Sequence, residues 1–369
     1  MKSILFPGKF LLGKGVLDSF GEYTKSLGKK FQIIASKSVM ETAKSKINQS
    51  FEGTDMLAEY VLFGGECSHN EIKRLAEAGR EKGCDCVVGV GGGKLLDAAK
   101  AVAHELKTPV VIVPTIASTD APTSALSVIY TDDGVFQEYF WLPKNPDIVM
   151  VDTEIICNAP SRFLVAGMGD AFATYFEARA VRNSNSSTCT VSAPGKQTIT
   201  AFALAELCYR TLLEDGLKAK FSAESGAITP ALENIIEANI LLSGIGFESG
   251  GLAASHSIHN GLTVLPQTHD IQHGEKVAFG VLTQAVLENA SMDEIIAMAD
   301  FYESVGLPVT LEEIGLANVT DEELRKVADA ATVPGETIHN EPFVVTSDMV
   351  LDAIKTTDAI GKAYNAVRT

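Results

Sequence analysis

Near residue 90 an apolar run, CDCVVGV from Cys84, meets three consecutive glycines, Gly91, Gly92 and Gly93, and then Lys94 and an amphipathic stretch, LLDAAKAVAHEL. No other junction in the chain restricts the fold as much. A strand that ends in a glycine-rich turn and continues as a helix leaves free amide groups and the positive end of the helix dipole pointing at one spot, where an anion such as a pyrophosphate can sit. The motif is neither GxGxxG nor a Walker A loop, because Leu95 follows Lys94 where a Ser or Thr would be needed.

The same alternation surrounds it. FQIIA from Phe31, AEYVLF from Ala58 and PVVIVP from Pro109 also read as strands, with amphipathic stretches such as KSVMETAKSKINQSF and SHNEIKRLAEAGREKG between them. Ser68 opens the latter as a helix cap. Strands alternating with helices predict a parallel, Rossmann-like sheet covered on both faces. SVIYTDDGVFQEYFWLP reads as a hairpin with a DG turn at the edge of that domain.

After about Ser161 helical periodicity takes over, in GDAFATYFEARAVRN, TITAFALAELCYRTLLEDGLKAKF, TPALENIIEANILLSGIGFESG and EKVAFGVLTQAVLENA. The expected organisation is an α/β dinucleotide-binding domain over 1–160 and a mostly α-helical metal-binding domain over 161–369, sharing a cleft. A chain of 369 residues with 46% apolar and 21% charged residues can fill two such cores.

A formal charge of −17 argues against nucleic acid or an anionic membrane as partner. No run of eighteen apolar residues occurs, and Pro7 and Gly8 interrupt the first apolar stretch too early for a signal-peptide core, so a cytoplasmic protein is expected. The six cysteines lack paired metal-finger spacing and read as reduced thiols.

Three of the seven histidines, His256, His259 and His273, lie in GGLAASHSIHNGLTVLPQTHDIQHGEKVAFG, with His269 between them. Their spacing fits an open metal centre and also satisfied loop histidines. Asp170, in GMGDAFATYFEAR, reads from its position first as a helix-opening residue. Asp97 reads as a first-turn residue complementing a helix dipole, and His69, His104, His269 and His339 as structural or exposed.

GGGKLLDAAK, PTIASTDAPTSALSVIYTDDG, GMGDAFATYFEAR, GFESGGLAASHSIHNG and HGEKVAFGVLTQ together resemble the glycerol dehydrogenase branch of the iron-containing alcohol dehydrogenase superfamily, over nearly the whole chain from PGKF to GETIHN. The resemblance implies the dehydroquinate synthase-like fold of that superfamily. It also implies NAD-dependent oxidation of glycerol to dihydroxyacetone, by hydride transfer from a secondary alcohol held on a metal. Asp170, His256 and His273 would be the ligands of zinc, with ferrous iron as the alternative, and would also meet substrate. Asp120 would bind substrate hydroxyls and act in catalysis beside His259, a proton relay. Ser36, Gly93, Lys94, Thr115, Ser118, Ser124, Leu126 and Tyr130 would contact the cofactor.

Related diols fit the same scheme, and the superfamily further implies a homo-oligomer, an octamer. In dinucleotide folds an acidic residue at the end of an early strand binds the adenosine ribose and repels NADP. Here Ser36 followed by Lys37 stands after FQIIA, which predicts weaker discrimination against NADP. Two rival readings are a dehydroquinate synthase-like lyase, which would need several basic residues where Gly251–Lys276 offers one lysine, and a silent nucleotide-binding protein.

Overall fold

The first half of the chain forms β1 (Phe10–Gly13), α1 (Phe20–Thr24), β2 (Lys30–Ala35), α2 (Met40–Ser50), β3 (Leu57–Leu62), α3 (His69–Lys82), β4 (Cys86–Gly91), α4 (Gly93–Leu106), β5 (Val110–Pro114), β6 (Leu126–Tyr130), β7 (Phe136–Trp141) and β8 (Ile148–Asp152). These come from a computed structural model that describes residues 1–368. Six strands make one parallel sheet in the order β1-β8-β5-β4-β2-β3, and β6 and β7 pair as a separate antiparallel hairpin.

Successive residues of a strand face opposite sides, and both sides here are buried. Phe31, Ile33 and Ala35 of β2 and Val88 and Val90 of β4 pack with Phe20, Ala43 and Ile47 of α1 and α2. Ile34 and Val87 pack the other way, with Leu75 of α3 and Leu96 and Val102 of α4. That two-sided burial is why the strands read as continuous apolar runs. α4 lies close on β4 because two strand positions carry no side chain: a Cβ on Gly89 would stand 2.6 Å from Ala99 Cβ, and one on Gly91 would stand 2.8 Å from Leu95 Cδ1. The hydroxyl of Ser68 caps α3 by accepting from Glu71 N–H at 3.2 Å, as its position predicts.

Two strands lie outside those marked by the sequence reading. FLLG of β1 is short and sits between Lys9 and Lys14, and IVMVD of β8 follows KNPD without a preceding helix; β8 lies between β1 and β5, with Phe10 opposite Val149 and Val111 opposite Ile148. The turn of the hairpin contains Gly134 at φ 86°, where the DG pair places it.

From residue 153 onward the main elements are helices: α5 (Thr153–Cys157), α6 (Ser161–Ser184), α7 (Ile199–Glu224), α8 (Pro230–Glu237), α9 (Ser243–Gly250), α10 (Ala254–Leu262), α11 (His273–Leu287), α12 (Met292–Val305), α13 (Asp321–Ala331) and α14 (Ser347–Arg368). α8 passes into α9 through a π turn, Ala238–Leu242. α6 begins at Ser161, so Asp170 lies more than two turns inside it and is fully buried; the helix-opening reading of Asp170 is incorrect, because the helix starts earlier than its glycines suggest. Among the described residues no helix is long and apolar enough to cross a membrane.

Candidate metal centre and cleft

The loop after β5 is docked onto the helices by contacts that tolerate no extra atom. Asn239, in the π turn, donates its amide to Ala117 O and Leu164 O, both at 3.0 Å, and Thr123 Oγ1 donates to Ile240 O at 3.2 Å. A Cβ on Gly167 of α6 would stand 1.9 Å from Ala117 O. The loop therefore lies against α6, and Asp120 N–H donates to Asp170 Oδ2 at 3.2 Å.

α11 meets α6 in the same way. A Cβ on Gly274 would lie 1.7 Å from Ala166 O, and one on Gly169 would lie 2.3 Å from Gly274 O. Backbone touching backbone there brings His273 Nε2 to 3.1 Å from Asp170 Oδ1. α10 contributes His256, whose Nε2 is 3.4 Å from the same oxygen.

One carboxylate oxygen and two imidazole nitrogens thus come within 4.8 Å of one another. Ligands held at about 2.0–2.2 Å around a tetrahedral cation stand roughly 3.4 Å apart, so the donor set fits a divalent metal with a position left over. Without thiolate, nitrogen and oxygen donors suit zinc or ferrous iron.

The electrostatics of the cluster are divided between its two aspartates. Burial opposes the charge of Asp170, but His273 and His256 outweigh it and hold that carboxyl below the usual range. Asp120 is pushed well above the usual range, by burial first and by the charge of Asp170 second, against the pull of His256. Its Oδ2 accepts from Ser243 Oγ at 2.7 Å. For His256 burial works against protonation, yet Glu177 and Asp170 raise it well above its ordinary value; burial and the neighbouring His273 lower His259.

The cluster opens on a cavity of about 170 Å³. On its sheet side lie Gly93, Asp97, Asp120, Ser124 and Leu126, and on its helical side Phe247, Leu252, His256, His259 and His273. Phe136 and Tyr139 of the hairpin complete the wall, and Tyr139 OH accepts from Asn260 Nδ2 at 2.9 Å. The hairpin therefore bridges the cleft instead of marking the edge of one domain.

The sequence profile of the iron-containing alcohol dehydrogenase family matches residues 7–153. The chain is 52% identical to a glycerol dehydrogenase of Escherichia coli O6:H1, over 97% of both chains, and 53% identical to a glycerol dehydrogenase of Thermotoga maritima, again over 97% of both. The chain belongs to the iron-containing alcohol dehydrogenase family. A crystal structure of glycerol dehydrogenase from Schizosaccharomyces pombe, 40% identical, superposes with a TM-score of 0.95 over 100% of this chain and 93% of that one.

In this family member the residues expected at the cofactor are only partly gathered. Gly93, Ser124 and Leu126 line the cavity. Thr115 and Ser118 are buried outside the cavity lining, and Thr115 N–H donates to Gly91 O at 2.9 Å at the end of the β4–β5 pairing. Lys94 points to Glu66 at 2.7 Å and stands 4.9 Å over the Tyr130 ring. Ser36 follows the last residue of β2 and shares a 3.1 Å bond with Ser38.

Asp97 departs from its first-turn reading: it is buried, pairs with the buried Lys100 at 2.9 Å and accepts from Val128 N–H at 3.1 Å. Lys100 also donates to Ala121 O and Leu126 O, so the pair holds the loop that carries Asp120 and Ser124. His259 lies edge-on to His273, ring centres 4.2 Å apart. Sequence reasoning missed Glu177, Ser243, Asn260, Tyr139 and Phe247. For Glu177 a signal existed: it follows Asp170 by seven residues, two helical turns, and so shares its face.

Proposed function

We propose that the chain is a glycerol dehydrogenase that oxidises the central carbon of glycerol to dihydroxyacetone with NAD, using zinc, or ferrous iron in its place, held by Asp170, His256 and His273. The observation that carries this reading is the placement of that donor set at the foot of a cavity whose other wall is the N-terminus of α4 at Gly93. When bound, the cation supplies the positive charge that favours loss of the hydroxyl proton, and the nicotinamide supplies the hydride acceptor.

The chain's own residues do the rest. Gly93 and the free amide groups of α4 hold the pyrophosphate, while Ser124 and Leu126 flank the nicotinamide. Asp120 bonds a hydroxyl remote from the reacting carbon and so turns the polyol into register. His259 passes the released proton outward, from its place between His273 and Asn260. Phe136, Tyr139 and Phe247 exclude water from the reacting atoms. The chain works in this reading as two domains, 1–160 and 161–369, within a homo-oligomer.

No lysine or arginine lines the cavity among the described residues, which favours a neutral polyol over the phosphorylated substrate of a dehydroquinate synthase-like lyase. The test is metal analysis of the purified protein together with glycerol-dependent reduction of NAD, before and after a chelator. The reading requires one bound metal per chain and turnover that the chelator abolishes and added zinc or ferrous iron restores. Turnover untouched by metal removal, or none with glycerol and other vicinal diols, overturns it.

A further inference from the structure

The first N–H groups of a helix have no partner inside the helix. At the start of α10 each is taken by a side chain from elsewhere: Ala253 and His256 donate to Glu177 Oε1 at 2.9 and 3.1 Å, Ala254 to Glu341 Oε1 at 3.2 Å, and Ser255 to Gln284 Oε1 at 3.0 Å. Glu177 has a second task. Its other oxygen, Oε2, lies 2.6 Å from His256 Nδ1. Both oxygens of this fully buried carboxylate are thereby committed, one to the backbone of α10 and one to the ring that α10 carries.

We propose that Glu177 is the positioning residue of the metal centre, taking Nδ1–H of His256 on Oε2 so that Nε2 is left free to bind a divalent cation beside Asp170. A neutral imidazole carries one N–H, and the partner of one nitrogen decides which nitrogen holds it. Because Asp170 and Glu177 stand two turns apart on α6, the ligand and the tether of its neighbour ride on one rigid rod. The inference rests on the metal reading given above.

An amide cannot do what this carboxylate does. In Glu177→Gln the side-chain oxygen can keep the two backbone N–H groups, but the NH₂ group then faces Nδ1, makes it an acceptor and drives the ring proton onto Nε2. Turned the other way, the amide abandons the helix cap. Glu341→Gln is the matching control, since it alters the same helix end and touches neither ligand ring.

The probe is cobalt(II) alone, titrated into the metal-free full-length protein and read by its visible d–d bands, with chelator competition for affinity. We expect Glu177→Gln to bind cobalt about 10–100-fold more weakly than wild type and with changed bands. Its metal-free unfolding temperature should stay near that of wild type, and Glu341→Gln should keep wild-type affinity. Unchanged cobalt binding in Glu177→Gln, or equal losses in both variants, overturns the proposal. A wild type that takes up no cobalt overturns the metal reading and this inference with it. If Glu177→Gln does not fold, the ¹⁵N spectrum of histidine-labelled, zinc-loaded wild type decides: the inference requires the His256 proton on Nδ1, and a proton on Nε2 refutes it.

Discussion

The sheet wall of the cleft offers Gly93 and Ser124, each within a short loop of a strand end. The helical wall offers Asp170, Glu177, His256 and His273, drawn from three helices, with Asp170 and His273 separated by 103 positions in sequence. The sheet wall is local and made largely of backbone. The helical wall is assembled at long range from charged side chains, and it depends on glycines that let helices touch. Function placed on strand ends tolerates drift in distant packing, whereas a cluster gathered from several helices fails when any one of them shifts.

The strongest challenge to this contrast is removal of a helical-wall ligand. His256→Ala is expected to lower turnover about a thousandfold or more, the scale of several kcal/mol of electrophilic stabilisation, and to strip the metal while the fold survives. Metal analysis and steady-state rates check it, and normal turnover with metal retained would break the assignment. Glycine substitution separates the two walls more directly. Gly274→Ala forces a Cβ to within 1.7 Å of Ala166 O and should cost about 3 kcal/mol of stability along with metal affinity. Gly93→Ala meets only Thr119 Oγ1 at 3.5 Å, so its unfolding temperature should hold while the KM for NAD rises. Thermal melts of the pair, with cofactor titrations, would contradict the contrast if both variants behaved alike.

A smaller effect is expected at Asp120, which belongs to the sheet wall by sequence and to the helical wall by its bonds to Asp170 and Ser243. Asp120→Ala should reduce kcat/KM for glycerol by about one to two orders of magnitude, and by less for an alcohol lacking the remote hydroxyl. Equal losses on both substrates would assign Asp120 to the fold. The smallest effect, a severalfold shift, belongs to Ser36→Asp, which adds a negative charge at the end of β2 and should move the ratio of catalytic efficiencies from NADP toward NAD. Paired kinetics with the two cofactors measure it, and an unmoved ratio removes Ser36 from the cofactor site.

The contrast between the walls also explains which parts of the molecule could be read from sequence. Four strands of the sheet, the hairpin and the glycine turn announce themselves because continuous apolar runs and turn chemistry are properties of neighbouring residues. β1 does not, since four residues between two lysines become a strand only by pairing with β8, and β8 lacks the helix that precedes each of those four strands. Asp170, His256 and His273 were legible by resemblance, not by spacing, because a ligand set drawn from separate helices has no short-range pattern. The roles of Gly167, Gly169 and Gly274 were hidden for the same reason: what forbids a side chain is a distant backbone carbonyl, that of Ala117 for Gly167, of Gly274 for Gly169 and of Ala166 for Gly274.

The pairing of β1 with β8 has a consequence for how the molecule is made. β1 is synthesised well before the partners that hold it: Phe10 waits for Val149, Ser3 Oγ finds Thr190, and Leu5 N–H finds Ser249. At ribosomal rates of about 5–20 residues per second, the apolar FLLG segment stays without its strand partner for an interval on the order of ten seconds. During that time the growing chain presents an unpaired strand edge at β5, the future neighbour of β8, which stays open to mispairing until β8 fills it.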